Sequence, residues 1–169
     1  MKNLVWGLGA VIALAIGAPA LAEEMGPQAL SDRAEIEDML TRYYNDFGGA
    51  IGDHLSQFYA EDGEMILGTT HYKGIEAIKG MYASVPADAP QRKSFALNIL
   101  IGNPLVVVKG DTATARLVFT EFIVEKEGDA PRVLTMGREF DHFVKRGGKW
   151  LILKREILGP KGAPEGWED

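Results

Sequence analysis

At 169 residues, of which 46% are hydrophobic, the chain is long enough for one well-filled core and too short for two ordinary domains. Its formal net charge of −6 comes without a basic cluster, which argues against nucleic-acid binding because few phosphate counterions could be displaced. The sequence contains no cysteine, so disulfides, thiolate metal ligands, a cysteine nucleophile and a lipoprotein anchor are excluded.

The N-terminus has the pattern of a secretory signal peptide, residues 1–22. Lys2 precedes an apolar run at 4–16, which is shorter than the roughly 20 residues of a permanent membrane helix. The small residues Ala20 and Ala22 then form an Ala-x-Ala cleavage site. We expect cleavage after Ala22 and a periplasmic or secreted mature protein that is not held at the membrane; a retained N-terminal anchor is the alternative.

The first half of the mature chain is predicted to be mainly helical. Residues 23–30 lack a periodic pattern and are predicted to be an irregular leader. Asp32 and Glu35 have the spacing of a capping box, and apolar residues follow at helical spacing until Gly48 and Gly49 end the helix. Asp53 can cap a short second helix, after which an acidic turn at 61–63, a strand around 65–67 and a third helix over 75–82 are predicted.

The second half of the chain is predicted to be sheet, because β-branched and aromatic residues recur there with period two. Gly-containing turns separate four predicted strands at 94–108, 112–126, 132–145 and 149–158, which implies an antiparallel meander. The first of these should bend at residues 102–104, where proline cannot donate to a ladder. The result is an α+β domain over 31–158, with a tail at 159–169 that either covers a pocket mouth or hangs free.

Several short stretches follow one another in a recognisable order. They are residues 32–36 (DRAEI), 58–63 (FYAEDG), 72–78 (YKGIEAI), 103–104 (NP), 110–115 (GDTATA), 137–141 (GREFD), and finally Trp150 with Arg155. This order resembles the SnoaL-like branch of the nuclear-transport-factor-2-like (NTF2-like) superfamily. The resemblance implies a cone-shaped barrel in which N-terminal helices pack inside a strongly curved antiparallel sheet, around one pocket.

The resemblance also implies a class of chemistry. The family includes dehydratases, cyclases, isomerases and lyases that need no metal or organic cofactor, so we expect none here. Family dehydratases often carry a histidine on the strand before Asn103, whereas residues 93–99 read KSFALNI, which argues against histidine-based dehydration. Residues 137–141 and the Gly-Pro-rich tail are similar to members that cleave lignin-derived diaryl diols by eliminating formaldehyde. A small hydroxylated, aromatic substrate is expected.

Two carboxylates on one predicted strand are the candidate acid/base groups. Glu139 and Asp141 share one face of a pleated strand, whereas Arg138 points the other way. In an apolar pocket, burial and mutual repulsion would raise at least one carboxyl pKa towards neutrality, while Arg155 could keep the other ionised. Arg138 or Arg155 would position the substrate. The alternative is a solvated strand face with surface ion pairs. The family resemblance favours Asp141 for the acid/base role.

Further side chains are candidates for contacts with substrate. Tyr44 lies in the apolar stripe of the first helix and could donate to a substrate oxygen, although core packing is the alternative for it and for Tyr59. Lys93 and Asn98 fall on a strand expected to line the pocket, where a lysine could act as base and an amide could orient an oxygen; surface exposure is the alternative for Lys93. His71 precedes the third helix near the expected pocket mouth, with a surface loop as its alternative.

Two further expectations concern metals and partners. His54, His71 and His142 show no metal-binding spacing, so no metal site is predicted. Apolar residues on both faces of the strands, as at 117–119 and 151–153, predict a homodimer or homotrimer formed through the exposed face of the sheet. The competing function is a non-catalytic periplasmic module for small-molecule binding or assembly, in which the inward carboxylates are salt-bridged and have ordinary pKa values.

Overall fold

The computed structural model describes residues 26–45, 54–84, 86, 88 and 97–167. The signal peptide and its cleavage site, the helix end at Gly48 and Gly49, the Asp53 cap and Lys93 therefore lie outside the described residues. Within them the chain forms an α+β fold, in which two helices and a short 3-10 turn accompany one curved sheet.

The first helix, α1, spans Pro27–Asn45 and so begins inside the stretch predicted to be an irregular leader. Asp32 does not cap it, because this residue lies in the second turn and its side chain points at the sheet. The Asp32 carboxylate accepts hydrogen bonds from Trp150 Nε1 at 3.1 Å and from Lys145 Nζ. The capping-box prediction is wrong because a tertiary contact, rather than the helix end, uses this carboxylate.

After α1, a 3-10 turn at Leu55–Gln57 leads into strand β1, Tyr59–Leu67, and then into β2, Thr70–Lys73. The acidic residues predicted to form a turn before the first strand lie within β1, where the pairing register shifts between Tyr59 and Glu64. The second helix, α2, spans Ile75–Ala83 and matches the predicted third helix at 75–82 to within one residue, whereas the predicted short second helix is the 3-10 turn. Strand β2 was missed because it is short and mostly exposed, and therefore has no hydrophobic alternation.

The remaining strands are β3 (Leu97–Lys109), β4 (Thr112–Ile123), β5 (Arg132–Arg146) and β6 (Lys149–Leu158). The described residues form a single six-stranded sheet in the order β2-β1-β6-β5-β4-β3. The predicted antiparallel meander is confirmed for β3 to β6. The sheet as a whole is mixed, because β6 returns beside β1 and pairs with it in parallel.

The sheet curves around α1 without closing into a barrel, since β2 and β3 remain edges. The predicted bend in β3 is confirmed: the register with β4 shifts between Gly102 and Leu105, and Asn103 has a φ of 51°. The apolar face of α1 packs against the inner face of the sheet. This core includes Ile36, Leu40 and Tyr43 of α1 with Ala115, Leu117, Phe143 and Ile152 of the sheet.

The C-terminal tail does not hang free, because it packs on the outer face of the sheet, away from the inside of the cone. The Trp167 ring packs edge-on against Phe140 and His142, with ring centroids 4.9 and 5.2 Å apart. Phe140 is therefore only 2% exposed although it faces away from the core. A groove of about 80 Å³ lies between the tail and the outer face of β5 and β6. Neither helix in the described ranges is long and apolar enough to cross a membrane.

Candidate functional site

A cluster of ionisable side chains is buried between α1 and the inner face of β5 and β6. Glu139, Asp141 and Arg155 all have no exposed surface. Asp141 lies directly opposite Arg155 in the β5–β6 ladder, and Glu139 is two residues away on the same face. The prediction that Glu139 and Asp141 share a face is therefore confirmed, and that face is turned into the cone rather than towards solvent.

Asp141 holds Arg155 in a fixed orientation. Arg155 donates from Nε to Asp141 Oδ1 at 2.8 Å and from Nη2 to Oδ2 at 3.0 Å, so both carboxylate oxygens are engaged. The geometry is the bidentate fork that makes arginine–carboxylate pairs both strong and directional. Arg155 Nη2 also lies 2.9 Å from Glu139 Oε1, as an ion-pair contact without the alignment of a hydrogen bond.

Tyrosine side chains enclose this charged group. Tyr44 of α1 donates a hydrogen bond from its hydroxyl to Glu139 Oε2. The guanidinium carbon of Arg155 lies 4.3 Å from the ring centroid of Tyr43 and 5.8 Å from that of Tyr59, distances at which an aromatic face attracts a cation. Aromatic surroundings exclude water and so strengthen each electrostatic contact inside the cluster.

The surroundings of Glu139 favour its neutral form. Burial raises the pKa of the Glu139 carboxyl well above its ordinary value, and the negative charge of Asp141 adds to the effect, while Arg155 opposes it. Burial also raises the pKa of Tyr44, and the neighbouring Glu139 raises it further, so the Tyr44 hydroxyl remains a donor. The cluster thus combines an Asp141–Arg155 ion pair with a carboxyl group whose surroundings favour its protonated form.

The other residues predicted to contact substrate are divided between this cluster and the surface. Tyr59 is 2% exposed and belongs to the cluster. Arg138 is exposed on the outer face of β5, so the structure does not bring it to Glu139. Asn98 is also exposed, because the neighbouring Ile99 faces the core; the expectation that Asn98 lines a cavity is wrong. His71 lies in β2 with its side chain about half exposed, and its Nδ1 is 2.8 Å from Glu64 Oε1.

Two tyrosines of the cluster were not among the predicted site residues. The Tyr43 ring stacks on Arg155, and its hydroxyl is hydrogen-bonded to the Tyr82 hydroxyl of α2. Tyr43 lies in the apolar stripe of α1, so the sequence carried a signal for its burial. Tyr82 had no such signal, because its partner is 39 residues away in the chain.

The cluster offers no open set of metal ligands. Both oxygens of Asp141 are bonded to Arg155, whose guanidinium occupies the place of a cation between the two carboxyl groups. Across the described parts of the chain, no three His, Asp or Glu side chains come together as a group that could hold a metal ion. What the arrangement can do chemically is hold, donate and accept a proton at Glu139.

An open α+β cone with a polar cluster inside it is typical of NTF2-like proteins, and comparisons with known proteins agree with this class. Residues 28–156 match the family described as SnoaL-like domain. The chain therefore belongs to the SnoaL-like family, within the NTF2-like superfamily. Comparison with curated proteins finds no match.

Solved structures are similar over most of the chain. An NTF2-like protein with a cystatin-like fold from Novosphingobium aromaticivorans is 27% identical, with a TM-score of 0.67 over 80% of this chain and 86% of that chain. A protein of unknown function from Mycobacterium tuberculosis is 23% identical, with a TM-score of 0.65 over 80% and 76%. A candidate scytalone dehydratase from Novosphingobium aromaticivorans is 19% identical, with a TM-score of 0.60 over 83% and 97%. The last two similarities concern the fold alone.

Proposed function

We propose that this protein is a cofactor-independent lyase, dehydratase or isomerase that acts on a small hydroxylated, aromatic molecule inside the cone. The observation that carries the proposal is the Glu139 carboxyl, which is buried, has a raised pKa and contacts both Tyr44 and Arg155. Carboxyl groups with such pKa values are suited to general acid/base catalysis near neutral pH.

Glu139 and Asp141 take different roles in this proposal. Asp141 accepts two hydrogen bonds from Arg155, which makes it a positioning residue for the guanidinium. Glu139 is bound less completely and is the group with the raised pKa, so it is the better proton donor and acceptor. The sequence and the family resemblance favoured Asp141 over Glu139; the contacts in the structure favour Glu139 instead.

The proposed chemistry is proton transfer by one carboxyl group. In a dehydration, protonated Glu139 gives its proton to a substrate hydroxyl as the carbon–oxygen bond breaks and water leaves, and Arg155 and Tyr44 stabilise the carboxylate that results. The carboxylate then accepts the proton of the adjacent carbon, whose C–H electrons form the new double bond, and this returns the protein to its starting state. General acid/base catalysis of this kind contributes typically about 10²- to 10⁴-fold in rate.

The test is a turnover screen of the mature protein against lignin-like diaryl diols and other small hydroxylated aromatics. Glu139→Gln keeps the size of the side chain but removes its titration, and it should lower kcat at least about 100-fold. Glu156→Gln, the same change on the outer face of β6, should leave kcat unchanged. A Glu139→Gln variant with full activity would contradict the proposal.

Asp141→Asn provides a second, sharper readout. Asp141 helps to raise the pKa of Glu139, whereas Arg155 lowers it. Without the Asp141 charge the pKa of Glu139 should fall, so the pH at which activity is lost on the alkaline side should move downwards. A pH profile that keeps its position in Asp141→Asn would argue against Glu139 as the acid.

The alternative function is a non-catalytic small-molecule-binding or assembly module. One observation favours it: Asp141 is fully paired with Arg155 inside the fold, as expected for a structural ion pair. A thermal-shift screen with the same compounds distinguishes an enzyme from a binding module. Stabilisation by a compound that is never turned over would support the binding module.

We also propose that the protein is exported and self-associates. Export is supported by the signal-peptide pattern, and it predicts a mature N-terminus at Glu23, measurable by mass spectrometry of the secreted protein.

Self-association is supported by exposed apolar residues on the sheet: Leu100 is 63%, Val133 52% and Met136 50% exposed. Light scattering coupled to size exclusion should give a dimer or trimer; the mass of one chain at micromolar concentration would contradict this.

A further inference from the structure

Arg155 has one edge that no described residue engages. Its Nε and Nη2 atoms donate to Asp141, which leaves Nη1 without a hydrogen-bond partner among the described residues, although Arg155 has no exposed surface. An unmet donor of this kind costs free energy, and the cost is greater when the group is charged. Because Asp141 fixes the plane of the guanidinium, the direction of the Nη1 edge is fixed as well.

Tyr59 supplies a second unmet group in the same place. Its hydroxyl is buried and has no hydrogen-bond partner within the described part of the chain, while its ring centroid lies 5.8 Å from the guanidinium carbon of Arg155. It lies near the Tyr43 hydroxyl without a hydrogen bond of normal geometry. The other hydroxyls around Arg155 are engaged, since Tyr44 donates to Glu139 and Tyr43 is bonded to Tyr82.

The charges nearby limit what these donors can bind. Asp141 neutralises Arg155, and burial favours the protonated, neutral forms of Glu139 and Tyr59. A carboxylate ligand would concentrate a full negative charge on two adjacent oxygens next to Asp141. A phenol or ring-conjugated carbonyl oxygen spreads the negative charge that it gains over the ring, and so matches two donors to a single oxygen better.

We propose that Arg155 Nη1 and Tyr59 Oη together bind one oxygen of the substrate, and that this oxygen is a phenol or ring-conjugated carbonyl oxygen. The inference rests on the proposed function and names the substrate class for the same site. The donors are oriented before the ligand arrives, so they favour the form of the ligand in which this oxygen has gained negative charge. Glu139 remains available for proton transfer at another atom of the substrate.

The test uses p-nitrophenol, whose phenolate absorbs visible light and whose neutral form does not. Bound to the wild-type mature protein, the probe should show a pKa below its value in solution, because both donors favour the phenolate. Tyr59→Phe removes only the hydroxyl and should weaken phenolate binding about tenfold. Tyr72→Phe removes the hydroxyl of a tyrosine on β2 that is not part of this cluster, and it should bind the probe as the wild type does.

Nitrobenzene provides the matched probe that keeps the nitro group but lacks the phenol oxygen, and Tyr59→Phe should leave its binding unchanged. The melting temperature gives an independent check: removal of a hydroxyl that makes no hydrogen bond in the free protein should not lower the Tm of Tyr59→Phe. No binding of p-nitrophenol to the wild type at millimolar concentration, equal binding to wild type and Tyr59→Phe, or a clear loss of Tm in this variant would overturn the inference.

The two proposals can fail separately. Equal probe binding to wild type and Tyr59→Phe, together with turnover that depends on Glu139, would remove the oxygen site and leave the acid/base function. Probe binding that depends on Tyr59, together with full turnover in Glu139→Gln, would remove the acid/base function and leave the oxygen site. A buried water molecule held by Arg155 and Tyr59 would appear as the first of these results.

Discussion

Arg155 and Asp141 form a two-bond ion pair across neighbouring strands, and neither side chain has any exposed surface. Removal of one member leaves the other as an uncompensated buried charge. Arg155→Met should therefore destabilise the fold by about 3–5 kcal/mol, measured by urea unfolding. The exposed pair of Arg146 and Asp62 provides the control, because Arg146→Met should change stability little. Similar losses of unfolding free energy in the two variants would contradict the expectation that burial makes the Arg155–Asp141 pair more important for stability than the exposed pair.

The raised pKa of Glu139 predicts how stability depends on pH. Between the ordinary value of 4.5 and its higher folded value, the folded protein holds a proton that the unfolded chain has lost. The free energy of unfolding should therefore fall as the pH rises through this window, by at most about 1.4 kcal/mol per pH unit for one proton. Glu139→Gln should remove this slope. Urea midpoints at several pH values measure it, and parallel curves for wild type and variant would contradict the prediction.

Asp32 should act as the anchor of α1 on the sheet. Asp32→Ala leaves Trp150 Nε1 and Lys145 Nζ without this acceptor, so the melting temperature should fall. Asp38→Ala on the exposed side of the same helix is the matched control and should have little effect. The Lys145 hydrogen bond lowers the pKa of Asp32, so the contribution of Asp32 should be present above about pH 3.8 and be lost in more acidic solution.

Gly137 should tolerate no side chain. A Cβ at this position would lie 2.5 Å from the Leu158 carbonyl oxygen and 2.7 Å from the Phe119 ring. Gly137→Ala should therefore disturb β5 two residues before Glu139 and lower the melting temperature clearly. Gly102→Ala is the control, because nothing lies within 4 Å of its added Cβ. Equal melting temperatures for the two variants would show that β5 can shift to make room.

The tail should protect the outer face of the sheet. Trp167→Ala should uncover Phe140, which is only 2% exposed in the structure. The expected result is stronger binding of a dye such as 1-anilinonaphthalene-8-sulfonate, with the core intact. Trp150→Phe is the comparison variant: it replaces a buried ring on the inner face and should not increase dye binding unless the fold itself is lost.

Those features that depend on local pattern could be predicted from the sequence. Strand β6 has the predicted bounds because period-two alternation and the Gly147–Gly148 turn are both local signals. Asp32 was assigned to a cap because the sequence cannot reveal that Trp150 and Lys145 lie beside it. Asn98 was placed on the wrong face because the period-two count fixes alternation but not direction.

The candidate site was partly predictable for the same reason. Glu139 and Asp141 are two residues apart, so a shared face followed from the pleat alone. The ion pair between Asp141 and Arg155 depends on the β5–β6 register. That register contains a shift between His142 and Phe143, which the sequence pattern does not indicate. Tyr82 reaches the cluster through the packing of α2, and no spacing in the sequence indicates that contact.

The parallel pairing of β1 with β6 has a consequence for how the chain reaches this structure. It joins residues 59–67 to residues 149–158, so the sheet cannot be completed until nearly all of the chain is available. Contacts of such long sequence separation make folding slow. A nascent chain that ends before β6 would present Glu139 and Asp141 without Arg155, and that uncompensated pair of acids would oppose collapse of the cone around them. Arrival of the last strand is thus both the final step of assembly and the event that makes burial of the carboxylates favourable.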